Sequence, residues 1–161
     1  AAGHPRGALF TVSLPIASVP AESLPARDAE PAPCGRNGAP LRLLVVDDEP
    51  GIGRYLSACL KNLGHSVQVL TDPREAEALL LEKEPLDGVF SDVCMPVLGG
   101  PELYRRVVQQ VPHYRGRFVF VTGAAFGDLD IGLEQGNRLL LKPFSPEQVR
   151  AALVAPRIAA Q

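Results

Sequence analysis

Four apolar runs in this chain each stop on a side chain able to bind a ligand. Leu43-Leu44-Val45-Val46 stops on Asp47-Asp48-Glu49, and Gly88-Val89-Phe90-Ser91 stops on Asp92. Phe118-Val119-Phe120-Val121 stops on Thr122, and Leu139-Leu140-Leu141 stops on Lys142-Pro143. Adjacent carboxylates repel one another, and a divalent cation is the usual counterweight. A ligand set built on oxygen suits magnesium. Three acids, a hydroxyl and an ammonium at the carboxyl ends of parallel strands share the crevice in which open α/β sheets bind ligands. The pattern points to one composite site assembled from four strand tips.

The elements that must position this site follow from periodicity. Continuous apolar runs of this length read as strands buried on both faces, as in a parallel sheet. Ser66-Val67-Gln68-Val69-Leu70 supplies a further strand. Ile52, Tyr55, Leu56, Cys59, Leu60 and Leu63 recur at helical steps, and Gly64 closes that helix. Thr71-Asp72-Pro73 supplies a cap and a first-turn Pro for a second helix containing Ala76, Leu79 and Leu80. Leu103, Val107, Val108 and Val111 form a third, ended by Pro112. Residues 124–135 make a weak fourth helix, because Gly127 and Gly132 each cost about 1 kcal/mol relative to Ala. Ser145-Pro146-Glu147 opens a fifth, running through Val149, Leu153 and Val154. Between Asp92 and the third helix, Met95-Pro96-Val97-Leu98-Gly99-Gly100 is a loop whose glycines permit positive φ. The expectation is an α/β domain: five parallel strands with right-handed crossovers through helices on both faces.

Asp47-Asp48, Asp92, Thr122 and Lys142-Pro143-Phe144 together resemble the receiver domain of two-component response regulators, over residues 41–155. The resemblance implies a flavodoxin-like sheet of order 2-1-3-4-5. It makes Asp92 the phosphoacceptor, since a carboxylate can take a phosphoryl group to become an aspartyl phosphate. An anion must then be attacked by an anion. Magnesium held by Asp48, Asp92 and the backbone carbonyl of Cys94, with Asp47 acting through a water, offsets that repulsion. The Cys94 side chain itself is expected to pack beneath the loop. Lys142 supplies a fixed positive charge to a phosphoryl oxygen, Thr122 a hydroxyl donor, and Pro143 resembles the family's cis-proline turn. The chain itself is then a phosphoacceptor with at most self-catalysed phosphorylation and dephosphorylation. Its partners are a histidine kinase, in cis or in trans, and a histidine phosphotransfer protein. His4, His65 and His113 have neither ligand spacing nor the neighbours of a phosphotransfer helix, so the phosphohistidine lies outside this chain.

Three departures from the family pattern carry expectations. Leu139 stands where an aromatic is common, which rules out a rotating-ring switch coupled to Thr122. Thr122 and Lys142 lie 20 positions apart, a short interval for the family, with Gly127 and Gly132 inside it. Both features resemble the C-terminal receivers of hybrid kinases. Cys94 and Ala124, two residues after Asp92 and Thr122, orient a hydrolytic water poorly, so the aspartyl phosphate should hydrolyse slowly.

Upstream, Gly7-Ala8-Leu9-Phe10-Thr11-Val12-Ser13-Leu14-Pro15 resembles the closing strand of a histidine kinase ATP-binding domain. Residues 1–16 are accordingly expected to be the end of such a domain. Residues 17–40, with Pro20, Pro25, Pro31, Pro33 and Pro40, form a semi-extended linker, and 156–161 a short tail. The joint reading is the C-terminal receiver of a hybrid sensor histidine kinase, with a stand-alone response regulator as the alternative.

Composition narrows the remaining classes. A net charge of −2 argues against a nucleic-acid-binding face, and no apolar run approaches the roughly 20 residues of a membrane span. Cys34, Cys59 and Cys94 lack metal-ligand spacing and read as free thiols in a reducing cytoplasm. A haloacid-dehalogenase-type phosphatase needs an Asp-x-Asp nucleophile motif and a cap insert, neither of which is present. An FMN binder needs a Ser/Thr/Gly-rich phosphate loop where this chain places acids. An unphosphorylated partner-binding receiver remains as a third reading.

Overall fold

A computed structural model of the chain describes residues 39–82, 86–123 and 136–154. The first sixteen residues, almost all of the Pro-rich stretch, the expected fourth helix at 124–135 and the tail lie outside the described residues. The described elements run, in chain order, β1 (Arg42–Val46), α1 (Pro50–Asn62), β2 (Ser66–Leu70), α2 (Pro73–Leu80), β3 (Gly88–Asp92), α3 (Gly100–Gln110), β4 (Phe118–Thr122), β5 (Arg138–Leu141) and α4 (Pro146–Val154). A single 3-10 turn, Pro112–Tyr114, separates α3 from β4. The five strands are parallel and ordered β2-β1-β3-β4-β5, as the resemblance implies.

Strand alternation divides the core into two layers. Leu44, Val46, Val89, Phe118 and Phe120 face one way and pack with Ala76 and Leu80 of α2 and Leu103 and Val107 of α3. Leu43, Val45, Phe90, Val119, Val121 and Leu140 face the other way, against Leu56 and Leu60 of α1 and Val149 of α4. Side chains that are apolar on both faces of a strand are stable only when both are covered, each fully buried Leu, Val or Phe contributing roughly 1.5–3 kcal/mol.

The helix ends obey their local chemistry. Asp72 Oδ1 accepts from the Arg74 amide (2.8 Å), and Gly64 at φ +86 closes the turn after α1. Ser145 and Gln148 bond reciprocally, the Gln148 amide donating to Ser145 Oγ (3.3 Å) and the Ser145 amide to Gln148 Oε1 (2.8 Å). This is a capping box, built on the Ser-x-x-Gln spacing of residues 145 and 148.

The loop from β3 to α3 differs from expectation. Its positive φ falls on Val97 (φ 71), where Leu98 N–H donates to the Pro96 carbonyl (2.8 Å) across a tight γ-turn. Gly99 (φ −72) is extended. Both glycines are needed for space: a Cβ on Gly99 would lie 2.8 Å from the Val93 carbonyl, and one on Gly100 would collide with the Asp92 carbonyl oxygen. A β-branched residue at positive φ is strained, and Val97 is 76% exposed, so its side chain recovers little by packing. Val97→Gly is therefore expected to stabilise the domain by about 1 kcal/mol, read as a higher urea midpoint at unchanged slope.

Candidate functional site

The sheet register brings the strand tips level. Val46 pairs with Ser91, Asp92 with Val121, and Thr122 with Leu141, so the residues that follow β1 and β5 project at the same edge as the ends of β3 and β4. Lys142 is held there by its backbone amide, which donates to the Thr122 carbonyl (2.6 Å), and the Lys142–Pro143 peptide is cis. Its side chain carries an ammonium to two carboxylates at once: Nζ donates to Asp92 Oδ1 (2.7 Å) and to Asp47 Oδ2 (3.1 Å). Asp47, Asp92 and Thr122 are all buried, and Asp48 is exposed.

Backbone donors complete the two buried carboxylates. The Glu49 amide donates to Asp47 Oδ1 (2.9 Å), and the Cys94 amide donates to Asp92 Oδ2 (2.9 Å). Burial nevertheless dominates at Asp47. It pushes the carboxyl above its ordinary value, against the Glu49 bond and the Lys142 ammonium and with the help of the neighbouring Asp92 charge. For Lys142, burial disfavours the ammonium, but its hydrogen bonds and charge pairing with Asp92 and Asp47 outweigh this and hold it above the ordinary lysine value.

The structure brings together Asp47, Asp92, Thr122 and Lys142, drawn from four strands. It leaves the Asp48 carboxylate at the surface, and among the described residues no three His, Cys, Asp or Glu side chains are gathered as a metal site. The Cys94 side chain is exposed, correcting the expectation that it packs beneath the loop. Leu139 packs against the layer under α2 and α3, aliphatic where an aromatic is common. The donor chemistry fits a hard divalent cation. Asp47 and Asp92 share one ammonium, with the Asp48 carboxylate and the Cys94 carbonyl following them in the chain as further oxygen donors.

Two features escape the sequence. The Gly99-Gly100 pair lets the start of α3 lie directly on the Asp92 backbone. An open apolar groove of about 480 Å³ runs beside Lys142, lined by Gly51, Ile52, Tyr55, Pro143 and Phe144. Tyr55 and Phe144 stack across it at 5.8 Å between ring centroids. Helical periodicity places Ile52 and Tyr55 on the apolar face of α1, but Tyr55 is 47% exposed and faces the groove instead of the core.

A doubly wound parallel sheet with buried acids and a lysine at its carboxyl edge defines a flavodoxin-like domain of the CheY kind. The response regulator receiver domain model matches residues 43–154, and the chain belongs to that family. It is 34% identical over 113 residues to the alginate biosynthesis transcriptional regulatory protein AlgB of Pseudomonas aeruginosa, a match covering 69% of this chain and 24% of AlgB. The chain thus spans about a quarter of that relative. Among solved structures, Vibrio cholerae chemotaxis protein CheY4 aligns with TM-score 0.63 and 32% identity, over 71% of this chain and 97% of CheY4. The receiver domain of sensor histidine kinase PA1611 from P. aeruginosa, solved with magnesium in its active-site cleft, aligns with TM-score 0.62 and 28% identity, over 71% and 95% of the two chains.

Proposed function

We propose that this receiver takes a phosphoryl group from a phosphohistidine onto Asp92. A carboxylate oxygen of Asp92 forms the new P–O bond while the P–N bond to the imidazole breaks, and the leaving electron pair returns to the imidazole nitrogen, which is then protonated. Lys142, already bonded to Asp92, stays beside the phosphoryl oxygens, and Thr122 offers its hydroxyl. Asp48, Asp92 and the Cys94 carbonyl would hold magnesium directly and Asp47 through a water. When bound, the ion supplies charge neutralisation at the phosphoryl oxygens. The shared Lys142 contact with Asp47 and Asp92 is the observation that carries this reading. The apolar groove beside Lys142 gives a partner bearing the phosphohistidine a place to dock.

We further place the receiver, at residues 41–155, as the C-terminal module of a hybrid histidine kinase in the cytoplasm. Residues 1–16 would be the end of its ATP-binding domain and 17–40 its linker. The kinase reading rests on the Gly7–Pro15 pattern and on Leu139, and the PA1611 receiver shows that such kinases carry this fold. A transcriptional regulator is favoured instead by AlgB, and the flanking gene sequence separates the two.

Incubation with acetyl phosphate and magnesium should add one phosphoryl mass to the chain, none with EDTA, and none to Asp92→Asn. The phosphoryl group should persist well beyond seconds, because Cys94 and Ala124 orient water poorly. A wild-type chain left unmodified under these conditions would refute the reading.

A further inference from the structure

We propose that His65 is a proton-operated latch, fastening the Leu41 amide at the entry to β1 at neutral pH and releasing it in mild acid. Leu41, the last residue before β1, is held at both of its backbone groups by consecutive residues of the turn into β2. Its N–H donates to His65 Nδ1 (3.3 Å), and its carbonyl accepts from the Ser66 amide (2.8 Å). Its side chain packs against the layer under α1 and α4. The His65 ring is only 6% exposed, and its own amide donates to the Leu60 carbonyl (3.2 Å) as the chain turns after α1.

This geometry sets the tautomer. Nδ1 accepts, so the ring proton sits on Nε2. Protonating Nδ1 would set a donor against the Leu41 donor, so the bond is abolished and replaced by repulsion. Among the described residues, α1, β1 and β2 carry no carboxylate to pair with a buried imidazolium. The ionisable groups on the surrounding elements are Arg54, Tyr55, Cys59 and Lys61 on α1, Arg42 on β1 and Asp87 just before β3, while β2 carries none. Asp87 is already engaged elsewhere, its Oδ2 accepting from the Arg42 amide (2.9 Å). Burial lowers the His65 pKa from the ordinary histidine value, because the charged ring loses its hydration.

The Asp87 contact also bounds the opening. Arg42 is fastened through its amide to Asp87 Oδ2 and through its carbonyl, which accepts from the Asp87 amide (2.8 Å). Neither bond depends on histidine. Acid therefore frees the Leu41 amide alone, while its carbonyl stays on the Ser66 amide and the sheet stays closed from Arg42 onward.

The test is NMR hydrogen exchange on the whole chain between pH 7.5 and 5, corrected for intrinsic exchange, with the His65 ring followed in parallel. The Leu41 amide should lose about tenfold or more of its protection, while amides in the centre of β1 such as Val45 keep theirs. The loss should share its midpoint with the His65 titration. His65→Asn, whose Oδ1 can accept in place of Nδ1 and cannot ionise, should hold Leu41 protected throughout. Leu41 protection that is flat with pH, or that falls at a midpoint different from the ring's, overturns the latch on wild-type data alone. Equal loss in His65→Asn overturns it as well.

Discussion

Replacing Lys142 with Met is expected to lower the stability of the metal-free domain by about 3 kcal/mol and to abolish stable phosphorylation of Asp92. The reason is the asymmetry of buried charge. Asp47 and Asp92 have side chains 3% and 8% exposed and share the Lys142 ammonium at 3.1 and 2.7 Å. A methionine fills similar volume but leaves two neighbouring buried carboxylates facing each other. Breaking a buried pair from one side costs more than the pair contributes, because the orphaned charge keeps its desolvation penalty. Lys142 is 20% exposed, which lets some water in and places the figure at the lower end of that range. Urea unfolding with and without magnesium reads the effect directly. If the carboxylates bind the ion as proposed, magnesium should recover more stability in the variant than in the wild type, since it replaces the missing positive charge. A variant as stable as wild type without metal would show that the two aspartates do not depend on this lysine.

Gly100→Ala should be comparably damaging, through sterics rather than charge. The added Cβ would collide with the Asp92 carbonyl oxygen and sit 2.7 Å from Ser91 Oγ, and Ser91 is fully buried. Two of the groups it meets belong to the backbone at the end of the central strand, which cannot rotate away as a side chain would. Either α3 lifts off β3, exposing the layer that holds Leu103 and Val107, or the Asp92 backbone shifts and carries its carboxylate away from Lys142. Overpacking of this kind costs about 1–3 kcal/mol, and the rigidity of the strand end places this case near the top. Gly51→Ala is the matched control. It lies on α1 with nothing within 4 Å of the new Cβ, so helix propensity alone should stabilise it by about 0.5–1 kcal/mol. Denaturation midpoints moving in opposite directions for the two substitutions are expected. A neutral Gly100→Ala would mean that α3 and β3 can separate at no cost.

Much of the fold is legible in the sequence because burial on both faces leaves an unmistakable mark. Four consecutive apolar residues at Leu43–Val46 have no other stable use in a short element, and the capping residues Asp72 and Ser145 announce helices by local hydrogen bonding alone. Gly64 closes α1, as its place after the last apolar residue implies. The β3–α3 loop departs from expectation for an equally physical reason. A glycine in sequence signals either conformational freedom or lack of room, and only the packing distinguishes them. Here Val97 takes the positive φ and Gly100 supplies the room.

From residue types and order alone, this protein was bound to gather acids, a hydroxyl and a lysine at one edge of a parallel sheet, because strand ends in such sheets converge there regardless of detail. Which of two adjacent aspartates turns inward was beyond that reach. The register places Asp47 in the buried position and Asp48 at the surface, although the chain spells them identically. The same holds for His65, an unremarkable residue in the sequence whose role arises only when the turn into β2 lies against Leu41. Periodicity reports which faces are apolar, a property each segment carries by itself. Hydrogen-bond partners and charge sharing belong to pairs of distant segments, and those exist only once the chain has closed.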